Sequence, residues 1–158
     1  MTETKNLLLG VGNPIMGDDG VGIHIIRMLK GSLPQSLNLE FKELSVGGLR
    51  MVEEMLGYEN VFVVDSITQK DSEIGRISQF NAEQLEDSNQ FSSTHITGFP
   101  TALELYRKFD PSKVPKRIRI FTVDIEPDFT FTERMSVPVK EAAAKLADLV
   151  RMRLSELR

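Results

Sequence analysis

Cysteine is absent from the 158 residues, and with it go disulfides, thiolate zinc sites and cysteine nucleophiles. A chain without thiols suits a reducing compartment, so the cytoplasm is the expected location. Histidine occurs only twice, as His24 and His95, so any imidazole chemistry rests on those two positions. No stretch is strongly basic, the net charge is −4 and the pI is about 5.3. These values exclude the electrostatic footprint of a nucleic-acid-binding protein. No apolar run approaches the ~20 residues that a membrane-spanning helix needs. The opening MTETKN is polar and lacks the apolar core of a signal segment. Internal repeats and low-complexity tracts are missing as well. Lysine is absent between Gly10 and Gly22, which removes the residue a phosphate-cradling loop would use.

What is present fits one domain over residues 1–158, with a monomer as the default expectation. A chain of this length buries roughly 70% of its unfolded surface, so a proper core forms without staples. The stretch Asn6 to Gly22, NLLLGVGNPIMGDDGVG, organises the rest. Leu7, Leu8 and Leu9 make a short apolar run that suits a strand buried on both faces. A loop punctuated by Gly10, Gly12, Gly17, Gly20 and Gly22 follows, carrying the adjacent carboxylates Asp18 and Asp19. A dinucleotide fingerprint would need a third glycine where Ile15 stands, and two carboxylates repel phosphate. They attract a cation, so a loop facing a metal is the sharper reading.

The pattern along the chain alternates strands with helices. A first helix is expected over Val21 to Leu29, with Val21, Ile25, Met28 and Leu29 on its apolar face, Ile26 at the margin and Asp19 as a candidate cap. LEFKEL, Leu39 to Leu44, alternates like a strand near a sheet edge. A turn at Ser45 to Gly48 and a short helix to Leu56 come next. Val61 to Val64 repeats the design of the first strand and ends at Asp65. Gly75 to Phe80 reads as a short strand, and Asn81 to Ser93 as a polar loop with a helical turn. Pro100 opens a helix with Leu103, Tyr106 and Phe109 on its buried face. RIRIFTV, Arg117 to Val123, is the last strand. A loop from Asp124 to Ser136 precedes a final helix from about Pro138, with Val139, Ala143, Leu146, Val150, Leu154 and Leu157 at helical spacing. Such alternation predicts right-handed crossovers and a largely parallel sheet with helices on both faces. Ligands in these α/β folds bind beyond the carboxyl ends of the strands.

Asp19, Asp65 and His95 all fall in or near that region. Two carboxylates and an imidazole form a plausible set for a divalent transition metal, with positions left open. Each also has a plain reading: Asp19 as a helix cap, Asp65 as a partner for amides at a strand end, and His95 as a solvated loop residue. His24, within the first helix, reads as structural. Asp19 is preferred over Asp18 as the inward residue because it lies closer to the helix. A protease dyad of Asp19 and Asp65 sharing one proton is another option, although neither stands in a D-T-G sequence. Ser66 lacks the elbow motif of a serine nucleophile.

GVGNPIMGDDGVG, then VVDS, then STH, then IEP and MSVP ahead of a final helix, resembles the hydrogenase maturation endopeptidases over nearly the whole chain. The resemblance implies a three-layer sandwich, with a twisted, mostly parallel sheet of about five strands between helices. It implies an endopeptidase that removes the C-terminal extension of a nickel–iron hydrogenase large-subunit precursor after nickel insertion. By motif position it assigns metal contact to Asp19, Asp65 and His95. Nickel then arrives with the precursor, which is the protein partner, and another divalent metal could replace it in vitro. Water is the expected attacking group, with Asp19 or Asp65 as its base. Gly47 and Gly48 resemble a glycine-bearing loop that contacts substrate; the plain reading is a turn. This sequence departs from the family pattern at Ser66, where Ala is common, in the longer segment from Asn81 to Ser93, and in a glycine missing from the EPDFTFTERMS loop. Two other readings remain at this stage: a non-catalytic metal-dependent checkpoint module on the same fold, and a nucleotide-binding domain.

Overall fold

The computed structural model describes residues 3–86, 91–93 and 95–157. In chain order its elements are β1 (Asn6–Val11), α1 (Val21–Leu29), β2 (Leu39–Leu44), α2 (Leu49–Met55), β3 (Asn60–Gln69), β4 (Ile77–Asn81), α3 (Ala82–Glu86), β5 (Phe91–Ser92), α4 (Phe99–Phe109), β6 (Arg117–Asp124) and α5 (Val137–Ser155). The main sheet runs β2-β1-β3-β6-β4. β2, β1, β3 and β6 are parallel, and β4 closes the edge antiparallel to β6. The short β5 pairs antiparallel with the tail of β3 through Thr68 and Gln69.

Strand alternation sorts the apolar residues into two cores. Leu8, Phe62, Val64, Phe121 and Val123 face α1 and α5, where they meet Ile25, Leu29, Leu146 and Val150. Phe62 and Phe121 stack at the centre of that core, centroids 5.8 Å apart. Leu7, Leu9, Val61, Val63 and Ile120 face the other way, against Met51 and Met55 of α2 and Phe99 and Leu103 of α4. A β-carbon on Gly22 would lie 2.2 Å from the Val64 carbonyl oxygen and 2.6 Å from that of Val11. Only glycine therefore lets the start of α1 press onto the ends of β1 and β3.

Several expectations from the sequence need correction. β3 does not stop at Asp65: Ser66 and Ile67 stay in register with Val123 and Asp124 of β6, so the strand runs to Gln69. The buried stripe of α4 is Phe99, Ala102 and Leu103, at helical spacing i, i+3, i+4, while Tyr106 is half-buried and Phe109 is 80% exposed. Phe109 ends the helix beyond the reach of the sheet. In α1 it is Ile26 that is buried and Met28 that faces solvent. α1 is preceded by Gly20 at its cap position, with no side-chain cap, so Asp19 is not its cap. The segment after Asn81 holds the expected helical turn as α3 and adds the short β5; its residues 87–90 lie outside the described ones. Among the described residues no helix is long and apolar enough to cross a membrane.

Candidate active site

A cleft of about 400 Å³ opens at the carboxyl ends of the parallel strands. Four segments supply it: the loop after β1, Ser45 just after β2, the end of β3 with the turn that precedes α4, and the loop after β6. Asp19, Ser66, Ser93, His95 and Phe129 are among its walls.

The first loop separates its two carboxylates. Gly17–Gly20 forms one tight 3-10 turn. Within it the Asp19 carboxylate turns back, and its Oδ2 accepts the Asn13 backbone N–H at 2.9 Å. Gly12 sits at φ 146°, and a β-carbon there would lie 2.1 Å from the Asp19 carbonyl oxygen. The loop thus folds flat on itself and carries Asp19 to the cleft. Asp18 points elsewhere, accepting the Ser136 amide at 2.7 Å and the Ser136 hydroxyl at 2.8 Å. Ser136 is the cap residue of α5, so Asp18 ties the loop to the last helix.

Asp65 is fully buried beneath the cleft. Its Oδ1 accepts the Ser66 amide at 2.7 Å and lies 3.3 Å from His95 Nδ1. Its Oδ2 accepts the Ser93 hydroxyl at 3.2 Å. Burial pushes the Asp65 carboxyl up, while His95, Ser66 and Ser93 pull it down. The Asp65 hydrogen bond raises His95 above its ordinary 6.5; burial opposes this, and the charges of Asp65 and Asp19 add to it. With Nδ1 engaged by Asp65, Nε2 is the nitrogen His95 has left for the cleft. A carboxylate behind an imidazole in this way is the usual support of a metal-binding histidine.

Gly47 and Gly48 stand against the backbone of His95. The Gly48 amide donates to the His95 carbonyl at 3.0 Å. A β-carbon on Gly47 would come within 2.0 Å of that same carbonyl oxygen. The structure therefore brings Asp19, Asp65, His95, Gly47 and Gly48 into one neighbourhood, with Asp19 and His95 on the cleft wall and Asp65 behind. Among the described residues no group of three Asp, Glu or His side chains is arranged to hold an ion by itself. The donor types do suit one, since carboxylate oxygen and imidazole nitrogen are ordinary ligands of divalent transition metals. His24 lies apart on α1, with Nε2 buried and without a hydrogen-bond partner among the described residues, and its pKa lowered, chiefly by burial.

Sequence reasoning missed Asn13 and Ser93. Asn13 holds Asp19 by its backbone, which no side-chain pattern reveals. Ser93 did carry a signal: a hydroxyl two residues before a histidine, ahead of a helix, is a common local cap for backbone amides.

The family model for hydrogenase maturation proteases matches residues 23–152. The chain belongs to this family. Its members are peptidases, and the matched residues include Gly47, Gly48, Asp65 and His95 but begin after Asp19. No curated protein sequence matches the chain. Among solved structures, the hydrogenase-maturating endopeptidase HybD from Escherichia coli is 21% identical, with a TM-score of 0.80 over 97% of this chain and 93% of that one. HybD from Thermococcus kodakarensis, a nickel–iron hydrogenase maturation protease, is also 21% identical, with a TM-score of 0.73 over 96% and 99%. HycI from Thermococcus kodakarensis KOD1 gives 21% and 0.70 over 96% and 93%. At these identities the likeness is one of fold, and it extends through the first loop that the family model leaves out.

Proposed function

We propose that this maturation protease removes the C-terminal extension of a nickel–iron hydrogenase large-subunit precursor after nickel insertion. In this reading it recognises the bound nickel through Asp19, Asp65 and His95. The observation that carries it is the meeting of Asp19 and His95 on one cleft wall, with Asp65 locked behind His95. Nickel comes as part of the substrate. Asp19 and His95 contact it from the wall, and Asp65 acts through His95, whose Nδ1 it holds.

Docking the ion there sets the scissile carbonyl of the precursor beside a polarised water. The water oxygen bonds to the carbonyl carbon, the C–N bond breaks, and the leaving amine takes a proton. Both Asp65 oxygens already accept hydrogen bonds, so Asp19 takes the proton from water on an oxygen the metal leaves open and passes it to the leaving amine. Its Oδ2 alone is engaged, by Asn13. Gly47 and Gly48 serve the substrate indirectly, by setting the height of His95. The enzyme works as a monomer in the cytoplasm, in line with its lack of cysteine.

The test is a processing assay. The purified protein is mixed with large-subunit precursors, with and without nickel loaded, and the products are weighed by mass spectrometry. One C-terminal cut in the nickel-loaded sample alone is the expected result. Nickel-dependent binding with no cut would replace the peptidase by a checkpoint module. Cutting of unloaded precursor at the same rate would end the nickel-recognition reading.

A further inference from the structure

The loop after β6 carries two phenylalanines that the reaction described above does not use. Phe129 is one of the cleft walls, yet it is 81% exposed, and Phe131 is 77% exposed. Ile15, on the loop after β1, is 48% exposed. The two loops are stitched together beside these residues. Thr132 donates its amide to the Ile15 carbonyl at 2.8 Å, and its own carbonyl accepts the Gly17 amide at 2.8 Å. Asp128 closes a turn around Phe129, accepting the Thr130 amide at 2.9 Å and the Thr130 hydroxyl at 2.7 Å. A loop tied in this way presents its rings to a partner at little ordering cost.

Clustered exposed apolar side chains mark an interaction surface, and the cleft says what covers this one. The family consists of peptidases, so polypeptide enters the cleft and meets Phe129. A cleft of about 400 Å³ is the size of a small-molecule site and takes a short segment only. A specific protein partner covers roughly 800 Å² of each surface. Most of the contact with a protein substrate therefore lies outside the cleft, where Phe131 and Ile15 continue from Phe129. The same loop exposes Glu126, Asp128 and Glu133 against one base, Arg134.

We propose that Phe129 and Phe131, with Ile15 beside them, anchor the large-subunit precursor through an apolar, basic-rimmed patch of its surface that lies outside the processed tail. The proposal rests on the reading of that precursor as the substrate. Aromatic side chains dominate the binding energy of protein interfaces, and the acidic loop steers a basic rim toward them. Phe129 joins the cleft to this outer surface, and Phe131 belongs to the outer surface alone.

The test measures the binding of nickel-loaded precursor, together with KM and kcat for its processing. Phe109→Ala is the control, because Phe109 is equally exposed but ends α4, about 15 Å along the helix from the turn that carries His95. Phe131→Ala should weaken binding about tenfold, an ordinary hot-spot loss, and raise KM more than it lowers kcat. Phe129→Ala with Phe131→Ala should weaken binding further, Phe131→Tyr should retain it, and Phe109→Ala should leave it unchanged. Added salt should slow association; association indifferent to salt would overturn the basic rim. A double variant that binds precursor as tightly as the unaltered protein would overturn the proposal and leave the peptidase reading standing. So would a double variant that loses only self-association in sedimentation, since the patch would then meet a second copy of this chain. A protein that binds precursor through these rings and cuts nothing would uphold the proposal and overturn the peptidase reading. Loaded precursor that does not bind the unaltered protein would overturn both.

Discussion

Asp18 and Asp19 are consecutive, yet their carboxylates hold different parts of the molecule. Asp18 reaches Ser136 at the start of α5, 118 positions away, and Asp19 turns back to Asn13 at the mouth of the cleft. The two residues should therefore fail differently. Asp19→Ala should keep the fold and lose more activity than the roughly 10- to 100-fold typical of outer-shell changes. Asp18→Ala should keep most of its activity and lose about 1 kcal/mol of stability, the size of a missing capping interaction. Urea denaturation beside the processing assay separates the two. An Asp18→Ala protein as inactive as Asp19→Ala would contradict the division of roles.

The contact of Asp65 with His95 gives the site a pH dependence whose sign can be worked out. His95 is raised above 6.5, first by its hydrogen bond to Asp65. A metal needs the neutral imidazole, so kcat/KM should climb with pH along a limb centred above 6.5. Asp65→Asn removes the largest cause of the shift, and the limb should move down. Stability runs the opposite way. A folded pKa above the unfolded value adds stability that is fully present below pH 6.5 and fades as pH rises through the raised pKa. His95→Gln should then destabilise the protein more below pH 6.5 than well above it. A pH–rate profile and melts across the same range check both signs.

Much of this architecture is legible in the sequence because burial writes itself into composition. NLLLGV and VFVV lack charge, and both prove to be central parallel strands covered on both faces. LEFKEL alternates and lies at the sheet edge. Helix ends were harder to read. Phe109 continues the apolar spacing of Leu103, yet it projects past the sheet into solvent, and spacing alone does not say where the covering surface stops. The end of β3 was hidden for a related reason. Asp65 and Ser66 look like the start of a loop, but their pairing with Thr122 and Val123 keeps them in the sheet. Within the site, side chains with unusual chemistry stood out, while supports made through backbone atoms, such as the Asn13 amide, left no trace in residue types.

Gly47 shows how a backbone support can matter to chemistry. Its α-carbon lies so close to His95 that an added β-carbon would sit 2.0 Å from the His95 carbonyl oxygen and 2.4 Å from its α-carbon. Both obstacles are backbone and cannot rotate away. Gly47→Ala must push the Ser45 to Gly48 turn and the His95 turn apart. A misplacement of about 1 Å can lower a rate by about 10²-fold, so activity should fall on that order. Gly57→Ala is the comparison: that glycine has nothing within 4 Å of the added carbon, although its φ of 88° strains any side chain. It should lose stability while keeping the rate. Equal rates for the two variants would mean that the turn yields without moving His95.

Thr122 tests the packing directly beside the site. It pairs in register with Asp65 on one side and Ser78 on the other. It is fully buried, and its hydroxyl oxygen has no hydrogen-bond partner among the described residues. The donors that hold Asp65 are Ser66, Ser93 and His95, so this hydroxyl is spare. A buried polar group without a partner costs roughly 1–3 kcal/mol. Valine has nearly the same shape, is at home in strands, and brings no such group. Thr122→Val should therefore raise stability by about 1 kcal/mol and leave the rate of precursor cleavage unchanged, because nothing that positions His95 is lost. Denaturation midpoints at constant m-value give the first quantity and the processing assay gives the second. A loss of stability would mean that the hydroxyl is satisfied in solution. A loss of rate without a loss of stability would bring Thr122 into the group that supports Asp65.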